Sequence, residues 1–142
     1  MIRGTVVAGL VDGEQLPETG SATEQLRAYM AGYWQVVRAP EYAPIYRLII
    51  GELHRFPDLV QFYVNEVVLR ARKIIARIIE RGIESGEFRE LDPLVGARMM
   101  AALMSTNAMW CSKRKYFPQI QDTTDEQVFE ELVDFYLHAI RA

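Results

Sequence analysis

The side chains able to carry covalent or metal chemistry are few and scattered. His54 and His138 lie far apart, and neither belongs to an H-E-x-x-H run. Glu52-Leu53-His54 is too short a pattern to hold a metal. Cys111 stands alone, so neither an internal disulfide nor a redox pair can form, and this suits a reducing cytoplasm. No Gly-rich phosphate loop appears, and no spacing supports a Ser-His-Asp triad. Lys113-Arg114-Lys115 is a short basic run of the kind usually solvated in a loop. Neither an enzyme nor a metal nor a cofactor is indicated.

What remains is recognition chemistry. Tyr29, Tyr33, Trp34, Tyr46, Phe62, Tyr63, Glu66, Met99, Leu103, Asn107 and Trp110 lie on or beside the apolar faces of four helices, with His54, Arg70 and Met100 among them. Apolar walls bearing a few polar groups are the composition of small-molecule pockets, and methionine adapts to irregular shapes. Their occupant would be hydrophobic or amphipathic, with an aromatic body. The same residues also suit a solid aromatic core. Glu66 and Arg70, four apart, read by default as a surface ion pair, and His54 as a helix-end residue touching solvent.

These residues need helices to position them. The longest is Pro57 to Gly86, where Val60, Val64, Val67, Ala71, Ile74, Ile78 and Gly82 recur at steps of about four and three, an apolar stripe on one α-helix. Tyr63, Val68, Ile75, Ile79 and Ile83 widen it, while Arg70, Arg72, Lys73, Arg77, Glu80, Arg81 and Glu84 fill the opposite face. Pro57 suits the first turn and Gly86 the left-handed position after the last. At 1.5 Å per residue the helix spans roughly 40 Å and needs partners along its length.

Before it, Ser21-Ala-Thr-Glu24 has capping-box form and opens a helix to about Arg38. Ala39-Pro40 interrupts, and a further helix runs roughly from Glu41 to His54. After it, Asp92-Pro93 is an N-cap with Pro in the first turn, leading into Leu94 to about Ser112. Lys113 to Asp122 is a loop, and Thr123/Thr124 with Glu126/Gln127 caps a last helix ending near Ile140. No stretch alternates as a strand does. The chain is all-α, a single multi-helix bundle over 1–142.

Leu94 to Cys111 is apolar nearly all round, more than one stripe in a monomer requires. The last helix has two apolar rows, Val128-Leu132-Phe135-Ala139 and Phe129-Val133-Tyr136-Ile140. Two adjacent helices with the same surplus point to a two-fold homodimer. Met100, Met104, Ala108, Phe129, Leu132, Val133, Tyr136 and Ile140 are its candidate contacts, with the choice of inward row open by one helical step.

Composition sets outer bounds. A net charge of −3 over 142 residues argues against a general polyanion binder. The opening MIRGTVVAGLVDGEQ lacks a cleavage site, and the most apolar window contains Arg98, Ser105, Thr106 and Asn107, so neither a signal peptide nor a membrane span is expected.

Tyr46-Arg47-Leu48-Ile49-Ile50-Gly51-Glu52, then Arg55-Phe56-Pro57-Asp58-Leu59 and Phe62-Tyr63, resembles the middle of the C-terminal domain of tetracycline-repressor (TetR) family regulators. Arg81-Gly82-Ile83-Glu84-Ser85-Gly86-Glu87-Phe88-Arg89 followed by Asp92-Pro93 is similar to the same family. The resemblance runs from about Ser21 to the C-terminus. It implies an effector-binding body whose last two helices form a four-helix dimer seam, controlling DNA through a helix-turn-helix head. That head is not seen in this sequence, and Ile2 to Val11 resembles the tail of the helix that would join it, so the chain reads as a truncated body or a naturally headless relative. A stand-alone dimerisation module with a solid core and no ligand is the rival reading.

Overall fold

A computed structural model describes residues 20–52 and 54–142. The expectation for Ile2 to Val11 lies outside the described residues. Helix α1, Ala22–Val37, opens on a complete capping box: the Ser21 hydroxyl accepts from the Glu24 N–H at 3.1 Å, and the Glu24 carboxylate accepts from the Ser21 N–H at 3.2 Å. After Pro40 comes α2, Tyr42–Gly51, with no side-chain cap and a shorter span than its apolar pattern suggests. It makes its main helix contact with α1 and leaves Leu48 and Ile50 exposed.

The long helix has the expected ends but is not uniform. It runs as α3, Pro57–Tyr63, a π turn at Val64–Val68, and α4, Leu69–Ser85, and it stops where Gly86 adopts φ 83°. In the π turn the Leu69 N–H reaches the Val64 C=O, so the turn holds one residue more than an α turn and the backbone bulges. Along α4 the stripe is buried as its spacing requires: Ala71, Ile74, Ile75, Ile78, Ile79 and Gly82.

Helix α5, Pro93–Ser112, is capped by the Asp92 carboxylate, which accepts from the Leu94 N–H at 2.9 Å. Two 3-10 turns, Arg114–Tyr116 and Pro118–Ile120, fill the expected loop. Helix α6, Asp125–Ile140, begins with a Thr124–Gln127 capping box. Its end is tied to the α4–α5 link, where the Arg89 N–H donates to the Ile140 C=O at 2.8 Å and the Ala142 N–H to the Glu87 C=O at 3.1 Å. Among the described residues the only strand-like pairing is a single bridge between Phe88 and Arg141.

The core lies where α4 meets α5, with α1 and α6 closing it. Leu26, Met30, Ile75, Ile79, Met100, Met104 and Val133 are sealed from solvent. This corrects the inward row expected for the dimer seam. Met100, Met104, Ala108, Leu132, Val133, Tyr136 and Ile140 are buried inside one chain, and Phe129 stacks on Trp34 at 5.6 Å between ring centres. Met100, Met104 and Val133, wholly buried, have no surface left to offer a second chain. They cover α4 and α1, whose wide apolar stripes need that cover first.

Candidate functional site

A cavity of about 310 Å³ lies between the π turn and α5. Helix α1 supplies Tyr33, α2 supplies Tyr42, Tyr46, Ile49 and Ile50, the end of α3 supplies Tyr63, and the π turn supplies Val64, Val67 and Val68. Ala71, Arg72 and Ile75 come from α4, and Arg98, Ala101, Ala102 and Ser105 from α5. Ile50 and Arg98 are exposed and stand at its rim. Its size is at the small end of pockets that hold drug-like molecules.

Hydroxyls converge on one side of this space. Tyr42 and Ser105 place theirs 3.5 Å apart, Tyr42 stacks on Tyr46 at 5.9 Å, and Tyr33 meets Tyr29 edge-on at 6.3 Å. Burial pushes the Tyr33, Tyr42 and Tyr63 phenols above their ordinary pKa; neighbouring tyrosines add to the rise at Tyr33 and Tyr63, whereas at Tyr42 hydrogen bonds with Ser105 and Tyr63 work against it. They are therefore neutral hydroxyls, able both to donate and to accept. The Arg72 guanidinium works against the rise at Tyr33.

The residues expected in the pocket divide. Tyr33, Tyr46 and Tyr63 line the cavity, and Tyr29 stands behind Tyr33. Trp34 does not line it: it is 2 % exposed and stacked on Phe129, on the α6 side of α1. Phe62 is about half exposed, and Glu66 pairs with Arg70 at 3.8 Å on the surface. Both point outward because they sit one step around the helix from Tyr63 and Val67. His54 is exposed.

Met99, Leu103, Asn107 and Trp110 lie apart from this cavity. With Val95, Thr106 and the α6 residues Phe135 and Ala139 they line an open groove of about 740 Å³ on the far side of α5, floored by Tyr136 and Ile140. Val95, Met99, Trp110 and Phe135 are exposed, Phe135 to 71 %. Asn107 is pinned to its own helix, its amide donating to the Leu103 C=O at 2.8 Å. The Tyr136 hydroxyl donates to the Gly96 C=O at 2.6 Å beneath the groove. The exposed apolar surface on these two helices thus includes Phe135 and Ala139 of the first row, which were not among the candidate contacts.

Arg72, Arg98, Tyr42 and Ser105 were missed as cavity residues. Arg72 follows Val68 by four and precedes Ile75 by three, so spacing alone places it beside the stripe. Arg98 stands in the same relation to Ala101 and Ala102. Neither site offers a nucleophile. Cys111 is buried, and burial first, then the nearby Asp125 carboxylate, raises its thiol pKa. Among the described residues no group of three or more His, Cys, Asp and Glu could hold a metal ion, and no helix is long and apolar enough to cross a membrane.

An all-α body with a small cavity on one side of its central helices and an open apolar groove on its last two has the design of a TetR-family C-terminal domain. The chain belongs to that family: residues 24–142 match the AefR-like transcriptional repressor, C-terminal domain. No curated protein matches the chain. Domains of this family are regulatory and non-enzymatic, and they typically dimerise and bind small-molecule effectors.

Proposed function

We propose that this chain is the sensor and dimerisation body of a cytoplasmic TetR-like transcriptional regulator, and that its effector is a small hydrophobic or aromatic molecule held in the cavity beside the π turn. The cavity carries the reading: tyrosine, valine and isoleucine walls with convergent hydroxyls, bounded by the lightly packed α2. Its occupant would bear on α2, on the bulge and on α5 together. Any differential affinity for two arrangements of these helices shifts the balance between them. In a regulator of this family that shift would reach DNA through a helix-turn-helix head. The outer groove of α5 and α6 serves a two-fold dimer, since an isologous contact there covers Met99, Trp110 and Phe135 of both copies.

Native mass spectrometry of the purified chain, followed by a thermal-shift screen of hydrophobic and aromatic compounds, tests the sensor reading. Binding compounds should lose affinity at least tenfold in Tyr63→Ala, whereas Trp110→Ala should leave them unchanged. No retained molecule and no shift with any compound would favour a solid-core dimerisation module instead. Loss of binding in Trp110→Ala alone would move the effector to the outer groove.

A further inference from the structure

We infer that the inner cavity is built for an acid: an amphipathic monoanion, a carboxylate above all, with its apolar body among Val67, Val68 and Ile75 and its charge at Arg72 and Arg98. This rests on reading the cavity as the effector site and adds the ligand's charge. The walls contain two arginines and no Asp or Glu, although acidic residues outnumber basic ones in the whole chain.

Among the described residues, the other half-buried arginines are all engaged. Arg38 and Arg114 hold Asp125 at 3.0 and 2.7 Å, Arg70 meets Glu66, and Arg81 donates to Gln25 and to the Gly20 C=O. Arg72 has no such partner, and its Nε is buried without a hydrogen bond. A buried donor on a charged group is costly to leave unmet. A guanidinium presents its donors as a planar fork, which two carboxylate oxygens match. The neutral phenols of Tyr33, Tyr42 and Tyr63 add donors without adding negative charge. An amine would meet two cations and find no counter-charge in the walls. A neutral ligand would leave the Arg72 Nε with at best an uncharged acceptor.

The test is calorimetric titration of the whole chain, near neutral pH, with a series of aryl and alkyl carboxylic acids, each beside its primary amide and its amine. 4-Phenylbutyrate, 4-phenylbutyramide and 4-phenylbutylamine are one such set. The acids should bind at least tenfold more tightly than their amides, with the amines weakest. Arg72→Gln should bring each acid down to the level of its amide and leave the amide unchanged, while Arg72→Lys keeps part of the preference. Circular dichroism and melting verify that the variants fold. If Arg72→Gln does not fold, Arg98→Gln at the exposed rim should still reduce the acid preference several-fold. Amides or amines binding as well as acids, or a preference that survives the available glutamine variant, overturns the inference while leaving the sensor reading intact. No binding by any member of the series overturns the inference, and the sensor reading is then decided by the native mass spectrometry and the thermal-shift screen.

Discussion

Phe135→Asp separates the dimer seam from the core. Phe135 is 71 % exposed on α6, beside Met99 and Trp110 in the outer groove. Full burial of a Phe side chain contributes about 1.5–3 kcal/mol. Covering the exposed fraction should therefore contribute about 1–2 kcal/mol per chain, and two-fold symmetry doubles it to about 2–4 kcal/mol per dimer. A carboxylate in the same place adds the cost of desolvating an unpaired charge on both sides. A loss of at least about 3 kcal/mol weakens the dimer a hundredfold or more, since about 1.4 kcal/mol is a factor of ten. The fold of each chain should survive, because so exposed a side chain contributes little to the monomer's interior. Val133→Asp is the contrast. Val133 is fully buried, so its carboxylate would be stranded inside the chain at several kcal/mol against a total stability of about 5–15 kcal/mol. Light scattering coupled to size exclusion over a dilution series gives mass, and far-UV circular dichroism gives folding. The expected result is a dimeric parent, a folded monomer for Phe135→Asp, and an unfolded or strongly destabilised Val133→Asp. A parent that is monomeric at micromolar concentration refutes the reasoning. So does a Phe135→Asp protein that keeps the parent's mass on dilution.

Gly82→Ala should destabilise the chain by about 2–4 kcal/mol in urea unfolding, because an added Cβ overlaps the ring of Phe88, which is 4 % exposed and cannot leave without emptying its site. An unchanged midpoint would mean that the α4–α5 link gives way easily. Glu87→Gln should alter the acid limb of stability. The Ser85 hydroxyl donates to this carboxylate at 2.6 Å, and the Thr23 and Ala22 N–H groups donate at 3.0 and 3.1 Å, holding its pKa down to about 2 from an ordinary 4.5. A depressed pKa stabilises the folded state above the ordinary value, and that contribution drains away as pH falls from about 4.5 toward 2. The carboxylate is largely solvated, so screening leaves a loss of roughly 1 kcal/mol at neutral pH for the glutamine variant. Its stability should fall less steeply than the parent's between pH 5 and pH 2, and parallel acid curves would refute the assignment.

The all-α class and the ends of most helices were legible because they depend on neighbours in sequence. Ser21 with Glu24, Asp92 ahead of Pro93, and Thr124 with Gln127 cap their helices through side chains no more than three residues away. Gly86 stops α4 because a left-handed residue costs glycine nothing. The stripe from Ala71 to Gly82 is buried because 3.6-residue periodicity puts those positions on one face. The Pro57–Gly86 stretch could not be resolved so finely. A π turn at Val64–Val68 has no side-chain signature there, since it differs from an α turn only in backbone hydrogen bonding. Periodicity likewise gave α6 two apolar rows of equal merit. Val133 and Tyr136 went inside, with Leu132 beside them, and Phe135 stayed out because α1 and α5 cover one side of the helix and leave the other bare. Arg72 reads among solvated charges, yet it borders a cavity closed by residues of α1, α2 and α5, segments distant in sequence. Local chemistry starts and stops a helix, whereas the face it buries and the space it leaves open depend on which other helices arrive to cover it.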